Sequence, residues 1–242
     1  STLRMQKDWI GRSEGADIDF TVDGSDKTIR VFTTRPDTLF GSTFIVLAPE
    51  HPFVESVTTP SVKSYVAEAK NRSDVDRMAN TKEKTGVDTG SFAINPANGC
   101  KIPIWIADYV LMGYGHGAIM SVPAHDDRDY AFAKTHNIKI IEVVQPKDNN
   151  ADEGCFSGEG VAINSSSDIV SIDGMQTTKA KQTIIDWLET SGSGCGKVNY
   201  RLRDWLFSRQ RYWGEPFPIV FDEQGQHYPI CESALPVELP TI

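Results

Sequence analysis

The sequence predicts an α+β fold with a β-barrel-like core of short strands and peripheral helices. Short runs that alternate apolar and polar residues recur along the 242-residue chain, and segments with helical periodicity lie between them. Turn residues separate the two kinds of segment. Many short strands with interspersed helices are typical of this class.

The first predicted element is a β-hairpin. Residues 18–22 and 28–34 alternate apolar and polar side chains, and Asp23-Gly24-Ser25-Asp26 between them has the composition of a turn. By the same criteria, further strands are predicted over 43–48, 101–110, 117–122 and 139–144.

Helical periodicity predicts the remaining regular elements. The predicted helices cover 51–69 (interrupted at Pro60), 126–136 and 177–190. Residues 80–99 are rich in Gly, Thr, Asn and Pro and are expected to form loops, and the polar, glycine-rich residues 145–167 are expected to be exposed. Near Lys197 the composition becomes basic and aromatic, which predicts a domain boundary there.

Composition excludes several classes of protein. A mean hydropathy of −0.32 is typical of a globular chain, and the longest apolar runs are too short to span a bilayer. No signal peptide is predicted, and a start at Ser-Thr-Leu suggests a piece of a longer protein. The net charge of −9 argues against nucleic-acid binding through bulk charge, although a local basic patch remains compatible with it.

The four cysteines give no sign of a metal site or a disulfide framework. They are widely spaced and form no CxxC pair, so a zinc site of that kind is not expected. Without a secretory signal, reduced thiols are the expectation. They are Cys100, Cys155, Cys195 and Cys231.

A threonine-rich loop, Thr33-Thr34-Arg35-Pro36-Asp37-Thr38, follows the second predicted strand. Its hydroxyls and backbone donors could contact an ester carbonyl or a ribose. The alternative is structural: a strand end with hydroxyl-stabilised turns and an ion pair between Arg35 and Asp37.

The segment 112–129 combines alternating glycines with a cluster of acids. Glycine at this spacing permits close approach of a ligand or a strand, but no phosphate-binding Lys-Ser/Thr follows. Three interpretations of the acids stay open. In the first, Asp126 caps a helix and the helix dipole favours the following acids. In the second, His116 and His125 bind a metal together with the aspartates. In the third, one aspartate pairs with an ammonium group.

The segment 197–213 carries five basic residues, one acid and five interleaved aromatic residues. This composition suits either nucleic-acid binding or a buried aromatic segment with solvated arginines. No Ser–His or Cys–His nucleophile pattern is present, so any hydrolysis is expected to use an activated water.

Together these stretches resemble the leucyl-tRNA synthetases of bacterial or organellar type, over essentially the whole chain and in the family's order. WIGRSEG at 9–15 resembles the entry into the editing insertion, called the connective polypeptide. TTRPDTLFG at 33–41 resembles its threonine-rich segment, and GVDTG at 86–90 with residues 112–132 resembles its second conserved region. The run 200–218 resembles the return into the catalytic body.

The resemblance separates this chain from the isoleucyl and valyl relatives. Those enzymes usually continue TTRP with Trp-Thr or Glu-Thr and return with DWCISRQ, whereas this chain has Asp37-Thr38 and DWLFSRQ at 204–210. The HIGH and KMSKS signatures of aminoacylation are absent from it. The resemblance therefore implies the editing-domain fold of the class I Leu/Ile/Val synthetases over 15–198, with an entry stub over 1–14 and a return segment over 199–242.

The implied activity is hydrolysis of the ester that joins norvaline, isoleucine or methionine to the 3′-terminal adenosine of tRNA(Leu), sparing the leucyl ester. A single methylene is worth about 1–3 kcal/mol, so a second, hydrolytic site improves discrimination. The implied partners are tRNA(Leu) and the rest of the synthetase, which alone would bind ATP. No metal, organic cofactor or membrane is implied, and we expect a monomer in the cytoplasm or an organelle.

The resemblance also assigns roles to residues. Thr33 and Thr34 would contact the ribose or ester and position water, assisted by a ribose hydroxyl of the tRNA. Thr38 would block the γ-branch of leucine, and Asp129 would bind the α-ammonium. Pocket contacts would come from Met120, Val122 and Tyr114, with Tyr114 near the adenosine. The other expected substrate-binding residues are Arg35, His125, Asp126 and Arg128; His116 receives no role.

Three other functions stay open at this point. The chain could be a tRNA-binding insert without activity, or the editing domain of an isoleucyl or valyl relative. It could also be an unrelated His/Asp metallohydrolase, which a chelator would inactivate.

Overall fold

The computed structural model describes residues 2–57, 59–72, 77, 85–112, 115–146, 154–200 and 218–236. The chain divides into two compact units, Ser1–Arg201 and Leu202–Ile242, each described here by itself. None of the described helices is long and apolar enough to cross a membrane.

The first unit is built on a mixed sheet. The strands of this sheet are β1 (Arg12–Val22), β2 (Thr28–Thr33), β3 (Phe44–Leu47), β4 (Gly86–Ile94), β5 (Lys101–Ala107), β6 (Ala118–Ser121) and β9 (Gly194–Tyr200). Strands β7 (Val144–Pro146) and β8 (Gly160–Ala162) form a separate antiparallel pair. The order in the mixed sheet is β2-β1-β4-β5-β3-β6, with β9 added to β1, and only the β3–β5 pair is parallel. Strands β2 and β6, at opposite ends of this order, lie against each other. The sheet therefore curls around its core, and the α+β prediction is confirmed.

The predicted hairpin is β1 and β2. Ile18 pairs with Val31 and Phe20 with Ile29, and all four side chains are buried. Directly paired residues share a face of the sheet, so this face forms the core. On the opposite face Arg30 donates two hydrogen bonds of 2.7 Å to the carboxylate of Asp19.

The described helices of the first unit are α1 (Thr2–Ile10), α2 (Pro60–Lys70), α3 (Asp127–Thr135) and α4 (Thr177–Ser191). The predictions for the last two are confirmed. The buried positions Ala180, Ile184 and Leu188 follow the four-residue spacing of one helical face, and α4 ends at Gly192 in the left-handed conformation (φ 70°). Before α2, residues Pro52–Ser56 form a short 3₁₀ helix, so the break predicted at Pro60 is present.

Three predictions about irregular segments were wrong. Residues 80–99 were expected to form loops, yet β4 runs through them because pairing with β1 and β5 outweighs the weak strand propensity of its Gly and Asp residues. Residues 139–144 were expected to form a strand, but β7 begins only at Val144. The segment 145–167, expected to be exposed, contains β8 with its buried Gly160 and Ala162.

The second unit contains a small hairpin. Strands β10 (Ile219–Phe221) and β11 (His227–Pro229) pair antiparallel and are exposed, and Glu232–Ala234 form a 3₁₀ turn. Of the predicted basic and aromatic segment, 197–213, residues 201–213 lie outside the described residues. Its two interpretations therefore remain predictions.

Candidate active site

The curled sheet brings the two candidate motifs together. The threonine-rich loop follows β2, and the acid cluster follows β6, the strand that lies against β2. The loop continues as a 3₁₀ helix, Pro36–Gly41, which begins with a proline. At its end Gly41 has no room for a side chain, since a Cβ there would lie 2.7 Å from Cγ2 of Val143 and 3.1 Å from Cγ1 of Val122. The two motifs therefore lie next to each other at Gly41 and Val122.

An ion pair fixes the threonine-rich loop. The Nε of Arg35 donates to Oδ1 of Asp37 at 3.0 Å and its Nη2 donates to Oδ2 at 2.9 Å. The hydroxyl of Thr33 accepts from the backbone N–H of Arg35 at 3.0 Å. Both features of the structural interpretation, the turn and the ion pair, are therefore present. The substrate contact expected of Arg35 stays a prediction.

The three threonines of the loop have different surroundings. Thr33 is half-buried, and its pairing with Ala16 turns it toward the core face of the sheet. Thr34 is exposed and, with Pro36, lines a cavity of about 540 Å³. Thr38 is buried, and its hydroxyl donates to the backbone carbonyl of Arg35 at 2.8 Å. This bond fixes the orientation of the Thr38 methyl group.

Asp129 is a buried carboxylate in the first turn of α3. Its Oδ2 accepts the backbone N–H of Val122 at 2.8 Å, just past the end of β6. Burial, and then the nearby charge of Asp126, raises the pKa of Asp129 to about 7. Within the described ranges no basic side chain lies at ion-pair distance from it, because Arg128 pairs instead with Asp126 at 3.5 Å. Asp129 is therefore a buried acid whose charge has no partner among these residues.

Asp126 has the role predicted for a helix cap. Its Oδ1 accepts the backbone N–H groups of Arg128 at 2.9 Å and Asp129 at 3.1 Å. This satisfies two of the free donors at the start of α3 and orients the turn that carries Asp129. The structure thus supports the capping interpretation for Asp126 while leaving Asp129 available for another partner.

The two described residues that were expected to line the pocket share one face at β6. Met120 and Val122 belong to the main core cluster, with Met120 opposite Ile45. Ser121 lies opposite Phe44 on the other face, where α3 packs. The carboxylate of Asp129 contacts the backbone just past the end of this strand, at the N–H of Val122. The pocket-lining roles of Met120 and Val122 stay predictions.

Two buried hydroxyls beside Asp129 were not predicted. Ser121 is fully buried and contributes to the surroundings that set the pKa of Asp129. Tyr109 is buried, and its hydroxyl has no hydrogen-bond partner among the described residues. Burial and then the charge of Asp129 raise the pKa of Tyr109 well above its ordinary value, so the phenol stays protonated. Ser121 could have been predicted as a site residue from its position between two predicted pocket residues. No pattern in the sequence indicated Tyr109.

His125 holds three segments together. Its Nε2 accepts the backbone N–H groups of Val143 and Val144, both at 3.0 Å, so the proton is assigned to Nδ1, which donates to the carbonyl of Phe156 at 2.7 Å. Burial lowers the pKa of His125 and favours this neutral form. Both ring nitrogens are thus used by the backbone, and the predicted substrate contact of His125 stays a prediction.

Residues 156–158 connect the two motifs. The N–H of Phe156 donates to the carbonyl of Ala124 at 3.0 Å, and Nη1 of Arg35 donates to the carbonyl of Ser157 at 3.2 Å. No role was predicted for these residues, because the surrounding segment is polar and rich in glycine. Through these contacts the segment links the threonine-rich loop to the residues that precede α3.

The glycine-rich loop is anchored just after its undescribed residues, 113 and 114. Tyr114, the residue expected near the adenosine, lies outside the described residues. After it, Nε2 of His116 lies 2.9 Å from Oδ1 of the buried Asp17, and the carbonyl of Gly117 accepts the N–H of Ala48 at 2.8 Å. His116, which had no predicted role, therefore fixes the loop. Among the described residues no group of three or more His, Cys, Asp or Glu side chains could hold a metal ion.

A family model for the editing domain of leucyl-tRNA synthetase matches residues 7–189. The chain belongs to this family. It is 52% identical over 263 residues to the leucine–tRNA ligase of Streptomyces coelicolor, covering 98% of this chain and 27% of that protein. It is also 52% identical over 246 residues to the ligase of Elusimicrobium minutum, covering 100% of this chain and 29% of that protein. The resemblance drawn from the motifs is confirmed.

A solved structure gives the same result for this editing domain. The crystal structure of the ternary complex of Agrobacterium radiobacter K84 agnB2 LeuRS, tRNA and LeuAMS matches with a TM-score of 0.69 and 36% identity. The match covers 98% of this chain and 26% of that one. The chain thus spans somewhat more than a quarter of the relatives it matches.

Proposed function

We propose that this chain hydrolyses the ester bond of tRNA(Leu) that carries norvaline, isoleucine or methionine. The observation that carries the proposal is the buried carboxylate of Asp129, which has a raised pKa and no cationic partner among the described residues. It lies at the end of β6, beside a loop whose hydroxyls suit an ester and a ribose. An aminoacyl ester supplies the missing cation, because its α-amino group is not part of a peptide bond.

Binding of the substrate ammonium would restore the charge of Asp129. A positive group at a few ångströms favours the ionised carboxylate and lowers its pKa from about 7. The amino acid would then be held by its ammonium at one end, with its ester directed toward the threonine-rich loop. The remaining step is attack by water on the ester carbonyl, with departure of the ribose oxygen.

The hydroxyls of Thr33 and Thr34 are the proposed contacts to the ribose or ester and to the attacking water. Neither side chain can act as a base, so the proton of the water would pass to an oxygen of the substrate, such as a ribose hydroxyl. His125 is an unsuitable base, since protonation at Nε2 would break two backbone hydrogen bonds. The protein would therefore act by positioning the ester and the water more than by proton transfer.

Selectivity against leucine is assigned to Thr38. Its hydroxyl is held by the carbonyl of Arg35, so its methyl group cannot rotate away from a larger ligand without breaking that bond. When two substrates differ by one branch, a steric clash with the larger one discriminates better than a small difference in favourable contacts. The leucyl ester would therefore be spared because its γ-branch meets Thr38.

The partners proposed are tRNA(Leu) and the remainder of a synthetase, with the chain itself monomeric. The limits proposed for the editing domain are 15–198, between an entry stub (1–14) and a return segment (199–242). The matched residues 7–189 and the first compact unit, Ser1–Arg201, support an assignment of this size. The tRNA named in the Agrobacterium complex supports the choice of nucleic acid.

The test is deacylation of norvalyl-tRNA(Leu) and leucyl-tRNA(Leu) at high protein concentration. The proposal predicts release of norvaline alone, with loss of activity in Asp129→Ala. The matched control is Asp127→Ala, which removes an exposed acid from the same helical turn. Equal release of both amino acids, or activity that survives in Asp129→Ala, would contradict the proposal. Activity lost with a chelator would favour a metallohydrolase instead.

A further inference from the structure

The two site motifs lie on opposite sides of a seam, the contact between β2 and β6 in the curled sheet. These strands are the two ends of the hydrogen-bonded order, and among the described residues no ladder of strand pairs joins them. Thr33 and Thr34 lie at the end of the β2 side, whereas the carboxylate of Asp129 is bound to the N–H of Val122 at the end of the β6 side. The spacing of the two halves of the proposed site therefore depends on what holds this seam together.

One side-chain pair links the two sides of the seam. His116, two residues before β6, has its Nε2 at 2.9 Å from Oδ1 of Asp17 in β1. Asp17 is paired with Phe32 of β2, and the next pair along the hairpin is Ala16 with Thr33. The link is thus adjacent to the first threonine of the threonine-rich loop.

Burial makes this pair more than a surface contact. The side chain of Asp17 is only 4% exposed. Within the described ranges His116 is the one basic side chain at ion-pair distance from it, since Arg30 on the same face of the hairpin is bound to Asp19. A buried carboxylate that loses its partner costs far more free energy than an exposed one. The hairpin therefore favours the arrangement in which His116 stays on Asp17.

The backbone on both sides of His116 is fixed as well. The carbonyl of Gly117 accepts the N–H of Ala48 at 2.8 Å, just past the end of β3, the strand that pairs with β6. On the other side, a Cβ on Gly115 would lie 3.6 Å from Cβ of Phe32, so this part of the turn lies directly on the hairpin. His116 is thus carried by the β6 side of the seam while its ring is bound to the hairpin side.

We propose that His116 is a positioning residue, which acts through Asp17 to set the spacing between the threonine-rich loop and Asp129. The inference rests on the proposed function, in which Asp129 binds the ammonium group and the loop contacts the ester. A substrate held at two points reacts only when the two contacts have the right spacing, and a displacement of about 1 Å can cost roughly 100-fold in rate. Loss of the pair leaves both contacts intact, so the substrate still binds but its ester is misaligned with the attacking water.

The first experiment measures kcat and KM for deacylation of norvalyl-tRNA(Leu). In His116→Ala, kcat should fall about tenfold or more while KM changes by less than about twofold. In His116→Gln, an amide N–H can still reach Asp17, so most of this loss should be recovered. The matched control is Asp19→Ala, which breaks the pair with Arg30 on the same strand and face but away from the seam, and it should leave kcat unchanged. Wild-type kcat in His116→Ala, or a loss confined to KM, would overturn the inference.

A double-mutant cycle tests whether the two residues act as a pair. Asp17→Ala should lower kcat as His116→Ala does, at equal concentrations of folded protein. The double variant should be no slower than the slower single variant, because the second change removes a link that is already broken. Losses that multiply in the double variant would show that the two side chains act separately and would contradict the inference.

Amide hydrogen exchange separates this inference from the proposed function, because it needs no substrate. In His116→Ala, exchange should be faster than in the wild type over residues 30–36 and 115–122, on the two sides of the seam, and unchanged in α4. This pattern in a chain that hydrolyses no aminoacyl ester would refute the proposed function and keep the role of His116 in holding the two motifs together. Unchanged exchange over both segments would overturn the inference, whatever the activity of the wild type.

Discussion

Asp37 and Asp129 are both buried acids, with 1% and 5% of their surface exposed, and each stands beside one of the two motif loops. They differ in their partners. Asp37 receives hydrogen bonds from both Nε and Nη2 of Arg35, whereas Asp129 receives one from a backbone N–H. The threonine-rich loop thus contains a hydrogen-bonded ion pair between Arg35 and Asp37. The other motif contains an acid whose pKa is raised to about 7 by burial and by the charge of Asp126.

This difference separates a structural acid from a functional one. A buried charge with a hydrogen-bonded partner stabilises its loop, while a buried acid without one lowers the stability of the fold at any pH at which it ionises. Acids of the second kind cluster at functional sites. We therefore propose that Asp37 belongs to the framework of the threonine-rich loop and that Asp129 binds the ligand.

The largest expected effect is on hydrolysis by Asp129→Asn. The amide retains an acceptor for the N–H of Val122 but cannot pair with an ammonium group. Loss of a buried charge pair of about 3–4 kcal/mol predicts a fall of roughly 10²- to 10³-fold in kcat/KM on norvalyl-tRNA(Leu). Asp37→Asn should retain more activity than Asp129→Asn when the two are compared at equal concentrations of folded protein. Equal losses in the two variants would show that the two acids do not differ in function.

The next effect is on stability, in Arg35→Gln. This change leaves Asp37 buried without its partner and also removes the bond to the carbonyl of Ser157. We expect the free energy of unfolding in urea to fall by about 3 kcal/mol. Arg128→Gln, which breaks the more exposed pair with Asp126, should cost less than about 1 kcal/mol. Similar costs would show that the Arg35 pair is not the stronger one.

Thr38 should act through its shape, which two variants separate. Thr38→Ala removes the methyl group and should allow leucyl-tRNA(Leu) to be hydrolysed, a gain of about tenfold or more over wild type. Thr38→Val keeps the branch and loses the hydroxyl bond to Arg35, so it should still spare leucine. If Thr38→Val also hydrolyses the leucyl ester, the hydroxyl rather than the bulk of the side chain determines selectivity.

The raised pKa of Asp129 predicts a pH dependence. Below about pH 7 the carboxyl group is protonated and cannot pair with the ammonium, so kcat/KM should fall, approaching tenfold per pH unit. Arg128 and Asp126 carry opposite charges beside it, and Tyr109 remains neutral in this range. The rate of Asp129→Asn is subtracted from that of the wild type at each pH, and the difference in kcat/KM should fall below pH 7. A difference that stays constant between pH 5 and 7 would contradict the role of this carboxylate.

Local pattern was sufficient for part of the structure. The hairpin at 18–33 and the helix over Thr177–Ser191 follow from alternation and from four-residue spacing, because each element satisfies its own periodicity. The cap at Asp126 followed from its place before the helix. The strand Gly86–Ile94 could not be predicted, since its residues become a strand only through pairing with two distant neighbours.

The site depended on contacts between residues far apart in the sequence. The motifs identified the threonine-rich loop and Asp129, but no local signal joined Arg35 to residues 157 and 158 or His125 to Phe156. The absence of a cation beside Asp129 is likewise a property of the packed structure, because Arg128 precedes it directly in the sequence and pairs elsewhere.

The most direct measurement is the free energy of unfolding of Asp129→Asn and Asp37→Asn, at pH 8 and pH 5. With a folded-state pKa of about 7, above the unfolded value of about 3.9, protonation of Asp129 stabilises the fold at low pH, and this contribution is lost as the pH rises through 7. Asp129→Asn should therefore be more stable than wild type by about 2–4 kcal/mol at pH 8 and by less at pH 5. Asp37→Asn should be less stable by about 1–3 kcal/mol at pH 8. A loss of stability in Asp129→Asn at pH 8 would show that its charge is already satisfied within the fold and would contradict its assignment to a ligand.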